Sequence, residues 1–452
     1  MYKLDKSSER ADRIINFMIE GDGKMYQQVI ESMKQKLEAA SLYPLKKQAD
    51  LSTKILKERL EVVLPWAMEE SEMDMWIVLS RENCEDPIIH TLFTWDMPEA
   101  RRISILVFHR NKETGEIRKM AVGMHSPEMS HIYENVQKKE EDVWQAVGRV
   151  VSELDPEKIA VDRSFIYGFC DGLSSTLYEG LKKAVGETYA ERICDGEELT
   201  VRWLQRVSPL EKEAMKVLTN VTHDIVNYTF SRDFIVPGET TTTDIEWCMR
   251  QMINDIGYLH WFGPDVDLQR KGSNVTRMFG ETILPGDLIH CDIGLNGIFV
   301  HLHTDMQWVA YILKDGETAA PEELEELLAK GNRFRDIVME EMKEGVLGND
   351  VFATAMDRAK AEGIKPMLYT HPLGTFGHGA GPTIGLYSNQ GFVPGNGERP
   401  VEDKTCYALE LNVFDDVKVW DDQQVFMYLE EDICKDGNVD YLDGHQEKLM
   451  LL

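Results

Sequence analysis

Long apolar runs are missing from this sequence: no uncharged stretch approaches the ~18 residues that a membrane-spanning helix needs, so no membrane partner is expected. Positive charge is scarce. The 452 residues carry 49 Lys+Arg against 79 Asp+Glu, a formal net charge of −30. A field of that sign repels phosphate, which excludes a generally basic nucleic-acid binder. Cysteine is sparse too. Seven are scattered without a C-x-x-C, which argues against a disulfide framework or zinc ribbon and suits a reducing compartment. The opening MYKLDKSSERADRIINF has no apolar core of the kind a signal peptide carries, so the expected location is the cytoplasm. At 43% hydrophobic residues, the chain can build large cores, and disordered or collagen-like classes are excluded. The acidity itself has two readings, a solvated surface or a dense carboxylate site that holds cations.

The pattern of what is present predicts an α/β chain of two main domains behind a helical extension. Residues 1–50 read as amphipathic helix, with Ile14, Ile15, Met18, Val29, Ile30, Met33 and Leu37 at helical spacing. Residues 51–207 read as one α/β domain, with strands at 74–80, 102–110, 117–122, 158–162 and 190–194 and helices near 137–153 and 175–186. Val207-Ser208-Pro209 marks a boundary. Residues 208–452 begin with helices at 209–229 and 242–257, the second with N-cap candidates in Thr241–Thr243. They continue as strands with helices inserted at 321–344 and 349–362.

Chemistry is concentrated in the last of these segments. LIHCDIG carries Asp292, and after a turn at Leu295-Asn296-Gly297 the chain returns as IFVHLHTDMQWV, carrying Asp305. A hairpin with matched carboxylates could share a cation, and carboxylates on apolar strands are costly without a partner. His371 and His378 lie in the glycine-rich YTHPLGTFGHGAGPTIG, where the backbone can approach a ligand closely. Glu410 interrupts the apolar CYALELNV, and Glu430 and Glu431 end VFMYLEEDI. His301 and His303 fall on the Asp305 face by alternation, as strand-surface residues or as substrate-side groups. Four acidic groups and a histidine in such settings make a hard-ligand metal cluster the better explanation. The helix PEELEELLAK reads as a solvated acidic face.

The order Asp, Asp, His, Glu, Glu resembles the methionine aminopeptidase, Xaa-Pro aminopeptidase, prolidase and creatinase family over residues 209–452. The resemblance implies a C-terminal pita-bread (α+β) metallopeptidase domain behind a creatinase-like N-terminal α/β domain. It implies metal ligation by Asp292, Asp305, His371, Glu410 and Glu431. Glu431 is preferred because it directly precedes Asp432 as the family's last ligand does, with Glu430 left open. It implies two divalent cations, manganese first with cobalt, zinc or iron as alternatives, bridged by Asp305 and Glu431. His378 would stabilise an oxyanion, Glu410 would pass on a proton, and His303 and His378 would face the substrate. The implied activity is aminopeptidase-like hydrolysis of short peptides with proline after the scissile bond, by a homodimer. Alternatives are a non-catalytic peptide-binding module and a creatinase-like amidinohydrolase. Glu410 lacks the following Pro-Gly, Leu429 stands where relatives carry arginine, and no histidine lies between His260 and His290. These departures bear on how substrate is gripped.

Overall fold

Two helices open the described chain, α1 (Gly23–Ala39) and α2 (Leu45–Glu70). The computed structural model describes residues 23–123 and 125–452, so the expected helix around Ile14 to Met18 lies outside the described residues. No helix among the described residues is long and apolar enough to cross a membrane. The described chain packs as two units, Ala49–Glu211 and Lys212–Leu452, the latter joined by residues 23–48. The division falls a few residues past the Val207-Ser208-Pro209 break.

In the Ala49–Glu211 unit, β1 (Met75–Arg81), β2 (Ile103–Arg110), β3 (Ile117–Gly123), β4 (Glu134–Asn135), β5 (Ile159–Val161) and β6 (Ile193–Asp195) form one sheet in the order β4-β3-β2-β1-β5-β6. The β1–β2 and β2–β3 pairs are antiparallel, whereas β5 joins β1 and β6 in parallel. Strand β1 is covered on both faces, which explains its unbroken apolar run. Met75, Ile77 and Leu79 share a core with Val147, Val151, Leu177 and Leu181, from helices α3 (Val143–Leu154) and α4 (Ser175–Ala190). On the other face, Trp76 packs against Phe108 and against Trp203 of α5 (Glu197–Gln205). The last strand begins at Ile193 and not at 190, because α4 runs on to Ala190.

This unit also buries a pair of carboxyls. Asp162 accepts from Trp76 Nε1 at 3.2 Å and Thr200 Oγ1 at 2.6 Å. Asp86 beside it takes Ile88 N at 3.2 Å. Burial pushes the Asp162 carboxyl up to about 6, and burial together with the Asp162 charge raises Asp86 well above the usual range. Such a group binds its proton more tightly in the native state than in the unfolded chain. Its stabilising contribution is therefore full below the unfolded value, about 4, and is lost as pH rises through the raised native value. Asp86→Asn removes the like charge and keeps a hydrogen-bonding side chain. It is expected to stabilise the protein at pH 8 relative to pH 5 by on the order of 1–3 kcal/mol. Urea midpoints at the two pH values measure this, and an unchanged pH slope in the variant would refute it.

The other unit begins with α1, whose Met33 and Leu37 are fully buried. Its Tyr26 hydroxyl donates to Asp255, and Lys36 pairs with Asp224 at 2.6 Å. Residues 23–48 are thus built into this unit. Gln48 Oε1 accepts from Phe299 N at 2.6 Å and so ties down the loop that leads to His303. Helices α6 (Pro209–Thr229) and α7 (Thr242–Asp255) follow. Thr241 caps α7, accepting from Asp244 N while the Asp244 side chain accepts from Thr241 N. Then come β7 (Leu259–His260), β8 (Asp265–Gln269), β9 (Leu288–Ile293), β10 (Leu295–Asn296) and β11 (Met306–Tyr311). Strands β8, β9 and β11 lie side by side, with β19 (Met450–Leu451) at the far edge, while β10 pairs with β7.

The remaining strands are three long runs, each broken once: β12 (Pro366–Leu368) into β13 (His371–Leu373), β14 (Thr405–Ala408) into β15 (Leu411–Val417), and β16 (Gln423–Leu429) into β17 (Asp432–Asp436). Strand β18 (Asn438–Tyr441) pairs with β17. The first half of one run and the second half of the next share a sheet, as β12-β15-β16 and β13-β14-β17-β18. The register does not slip at the breaks: Leu411 faces Leu429 on one side and Ala408 faces Asp432 on the other. Helices α8 (Glu322–Glu341) and α9 (Gly348–Ala361) cover this double sheet through Leu327, Phe334, Val351 and Phe352 against Leu411, Val413 and Leu429. The acidic residues of α8 lie on its more exposed side, its leucines inside.

Candidate metal centre

The breaks in the three long runs are where the site forms. His371 opens β13, Glu410 sits between β14 and β15, and Glu430 between β16 and β17. With the register unbroken, Glu410 and Glu430 face each other across neighbouring runs, beside the Leu409 N to Glu431 O bond of 2.9 Å. Strand β11 adds the fourth side, since Gln307 and Glu430 exchange both backbone hydrogen bonds at 3.2 Å.

The two aspartates arrive differently from the expected hairpin. Strands β9 and β11 are antiparallel neighbours, but Asp292 faces Gln307 and Ile293 faces Met306, so Asp305 lies just before β11 and two steps out of register with Asp292. An even offset keeps both on one face as diagonal neighbours. The connection is a long loop that includes β10, not a tight turn, and His301 and His303 lie in it and not on a strand.

Ligand atoms of Asp305, His371 and Glu430 lie within 4.8 Å of one another, and so do those of Asp292, Glu410 and Glu430. Glu430 belongs to both groups. His371 Nε2 stands 3.6 Å from Asp305, 3.8 Å from Glu430 and 3.9 Å from Glu410. Its Nδ1 donates to the Pro372 carbonyl at 3.0 Å, so the Nε2 lone pair faces the carboxylates. Asp292 Oδ1, Asp305 Oδ1, Glu430 Oε1 and His371 Nε2 are buried without a hydrogen-bond partner. Buried polar atoms are rarely left so, and here all four belong to residues of the two ligand groups. Burial and mutual repulsion push Asp305, Glu410 and Glu430 well above the carboxylate range, and burial takes Asp292 up to about 7. Burial also lowers His371 to about 4, leaving a neutral donor. Clustered acids at this cost, around unpaired atoms, are what a cation relieves. The residues therefore fit a pair of hard divalent ions.

Glu431, the preferred last ligand from the sequence, points elsewhere. Its oxygens accept from Trp308 Nε1 at 2.8 Å, His223 Nε2 at 3.0 Å and Gln446 N at 3.0 Å, with Arg335 Nη2 at 3.8 Å. Its acceptor capacity is already committed, whereas Glu430 has an oxygen to spare. The structure thus replaces Glu431 by Glu430 in the cluster. Asp432 also turns inward, accepting from Asp305 N at 3.0 Å and Thr219 Oγ1 at 2.7 Å, which anchors the backbone that carries Asp305.

His378 lies edge-on to His371, with ring centroids 4.7 Å apart, and its ring is accessible to solvent. Trp261, which sequence reasoning missed, stands 5.2 Å from His378 and 5.9 Å from His303. Gly377 packs on the Trp261 indole, leaving no room for a side chain. His303 is buried, its Nδ1 3.0 Å from the Gly374 carbonyl, and burial lowers its pKa to about 4. Also missed were Gln307, His290 and Asp267, which contact Glu410 and Glu430 directly or through one another. His290 and Asp267 are polar residues on buried strands, the same signal that exposed the carboxylates.

No curated protein matches the chain significantly. Many solved structures share its fold. The X-Pro aminopeptidase from Thermotoga maritima MSB8 superposes with a TM-score of 0.61 at 15% identity, covering 85% of this chain and 99% of that one. The Xaa-Pro dipeptidase from Bacillus anthracis gives 0.61 at 15%, covering 88% and 100%. The prolidase from Pyrococcus furiosus gives 0.55 at 13%, covering 85% and 100%. The sequence profile of metallopeptidase family M24 matches residues 211–434, a span that holds every residue of the cluster. Through that span, the chain belongs to metallopeptidase family M24.

Proposed function

We propose that the protein is a metal-dependent aminopeptidase that hydrolyses short peptides, with proline after the scissile bond. The observation that carries this reading is the pair of overlapping ligand groups meeting at Glu430. Asp305, His371 and Glu430 would hold one ion and Asp292, Glu410 and Glu430 the other. Oxygen ligands with one imidazole suit manganese, cobalt, iron or zinc, manganese being the first choice. When bound, such a pair supplies an activated water and polarises the scissile carbonyl.

The chain's own residues do the rest. Glu410 would accept the water's proton and hand it to the leaving amine. His378 is held below the ordinary imidazole value by partial burial, so near pH 7 it is a neutral N–H donor for the oxyanion. Trp261, Phe262 and His303 form an aromatic wall beside these groups, suited to the ring of a proline or another apolar side chain. With Nδ1 tied to Gly374, the second nitrogen of His303 is an acceptor that suits a substrate amine. A homodimer and a cytoplasmic location complete the proposal, both resting on the family resemblance and the sequence.

Elemental analysis of the purified protein is expected to find about two transition ions per chain. A panel of Xaa-Pro and Met-Xaa peptides, with and without added Mn²⁺, is expected to show metal-dependent cleavage that favours Xaa-Pro. Absence of bound ions would favour the binding-module or amidinohydrolase alternatives and overturn the reading. Cleavage of Met-Xaa peptides alone would overturn its proline component.

A further inference from the structure

The two glutamates of the cluster are not free to rotate. Gln307 Nε2 donates to Glu410 Oε1 at 2.6 Å and to Glu430 Oε2 at 2.9 Å. Both amide hydrogens are thereby used, one on each carboxylate. The amide oxygen turns the other way, 3.0 Å from His290 Nε2. A flipped amide would aim its oxygen at two carboxylate oxygens, an arrangement that electrostatics disfavours once these are ionised. His290 is fixed in turn: its Nδ1 lies 2.9 Å from Asp267 Oδ2, and Asp267 also takes Arg277 Nε at 2.7 Å. Gln307, His290 and Asp267 are 3%, 1% and 0% exposed, so water does not compete for these contacts.

The register explains how they meet. His290 and Asp292 are two apart on β9 and share a face, Asp267 of β8 faces His290, and Gln307 of β11 faces Asp292. Arg277 and the Tyr428 ring, 5.1 Å from the His290 ring, close the far end. The consequence lies in which oxygens are left. With Glu410 Oε1 and Glu430 Oε2 bound to the amide, Glu410 Oε2 and Glu430 Oε1 are the atoms that face His371, and Glu430 Oε1 is one of the unpaired buried atoms.

We propose that Gln307, locked by His290 and Asp267, is the positioning residue that turns one oxygen of Glu410 and one of Glu430 toward the cations and so sets the metal affinity of the centre. The proposal rests on the metal-centre reading above. Partners of this kind around metal ligands typically change affinity 10- to 100-fold when removed.

Calorimetric titration of the metal-free full-length protein with Mn²⁺, and the visible absorption of the Co²⁺ form, test it without recourse to activity. Circular dichroism and thermal unfolding establish that each variant is folded. Gln307→Met keeps the volume and loses the amide. It is expected to weaken at least one of two binding events by about 10- to 100-fold and to shift the Co²⁺ bands. His290→Phe is expected to weaken binding in the same direction but less, and His290→Gln, which retains a donor to the amide oxygen, to recover most of the loss. A folded Gln307→Met protein with unchanged affinity and spectrum overturns the proposal. If that variant does not fold, equal affinities in wild type, His290→Phe and His290→Gln overturn the lock. Failure of the metal-centre reading is seen separately, as absence of binding by the wild type.

Discussion

Glu430→Gln is expected to abolish peptide hydrolysis, while Glu431→Gln is expected to leave the bound metal in place and damage stability instead. The two side chains are adjacent and both buried, yet they are held by different groups. Glu430 contributes to both ligand sets and has an oxygen with no protein partner. Neutralising it removes the one carboxylate common to the two ions, so the metal content should fall from about two per chain to one or none and the rate by at least about 10³-fold. Glu431 makes its hydrogen bonds to Trp308, His223 and Gln446, near the fully buried Arg335. Its neutral amide analogue leaves that guanidinium without a countercharge, a change that costs about 3–5 kcal/mol when a buried pair is broken. Elemental analysis and thermal unfolding on the same two preparations give a crossed result if this assignment is right. Loss of metal in Glu431→Gln with retention in Glu430→Gln would reverse it and restore the ligand set first read from the sequence.

That reversal between neighbours shows where the sequence stops being legible. The helices at 209–229, 242–257, 321–344 and 349–362 were readable because each has an apolar stripe at helical spacing, and the cap of the second is the first of the three candidates, Thr241 to Thr243. Strand β1 was readable because both its faces are buried. Asp292, Asp305 and Glu410 stood out because charge in an apolar strand demands a partner, and His371 because it lies in a glycine-rich run where the backbone can approach a ligand. Choosing between Glu430 and Glu431 requires knowing which face each occupies, and alternation gives that only within an unbroken strand. Both lie at the break between β16 and β17, where the run passes from one sheet to the other and the phase is undefined. The placement of Asp305 and the loop histidines on a hairpin strand failed for a related reason: the segment before Met306 reads as strand by composition, but its backbone pairs with Leu295, Asn296 and Gly374 and not along β9. Gln307 gave no signal at all, since one amide on a strand is unremarkable until Glu410 and Glu430 are seen around it.

The histidines of the glycine-rich segment should separate in the opposite sense, with the chemistry dividing from the metal. His371→Ala is expected to lose bound metal, because its Nε2 is an unpaired donor within 3.6–3.9 Å of three carboxylates. His378→Ala is expected to keep about two ions and lose about 10²–10³-fold in kcat, with a smaller change in KM. The reason is geometric. The His378 ring stands edge-on to His371 at 4.7 Å but belongs to neither ligand group, and Trp261 supports it from the side at 5.2 Å. Under the proposed function it would face the substrate from beside the metal centre. A donor is useful there only when charge develops on the carbonyl oxygen, which is why the loss should fall on kcat. Partial burial lowers the imidazole pKa, so protonation of His378 should matter only on the acid side of its ordinary value, near 6.5. As pH falls through that lowered value the ring gains a second N–H and a charge, and since it is already a donor the rate should not fall with its protonation. Any acid limb of the wild-type profile then belongs to the carboxylates and should persist in His378→Ala. A variant that keeps its metal and its full kcat would remove His378 from the reaction, and one that loses metal would make it a ligand.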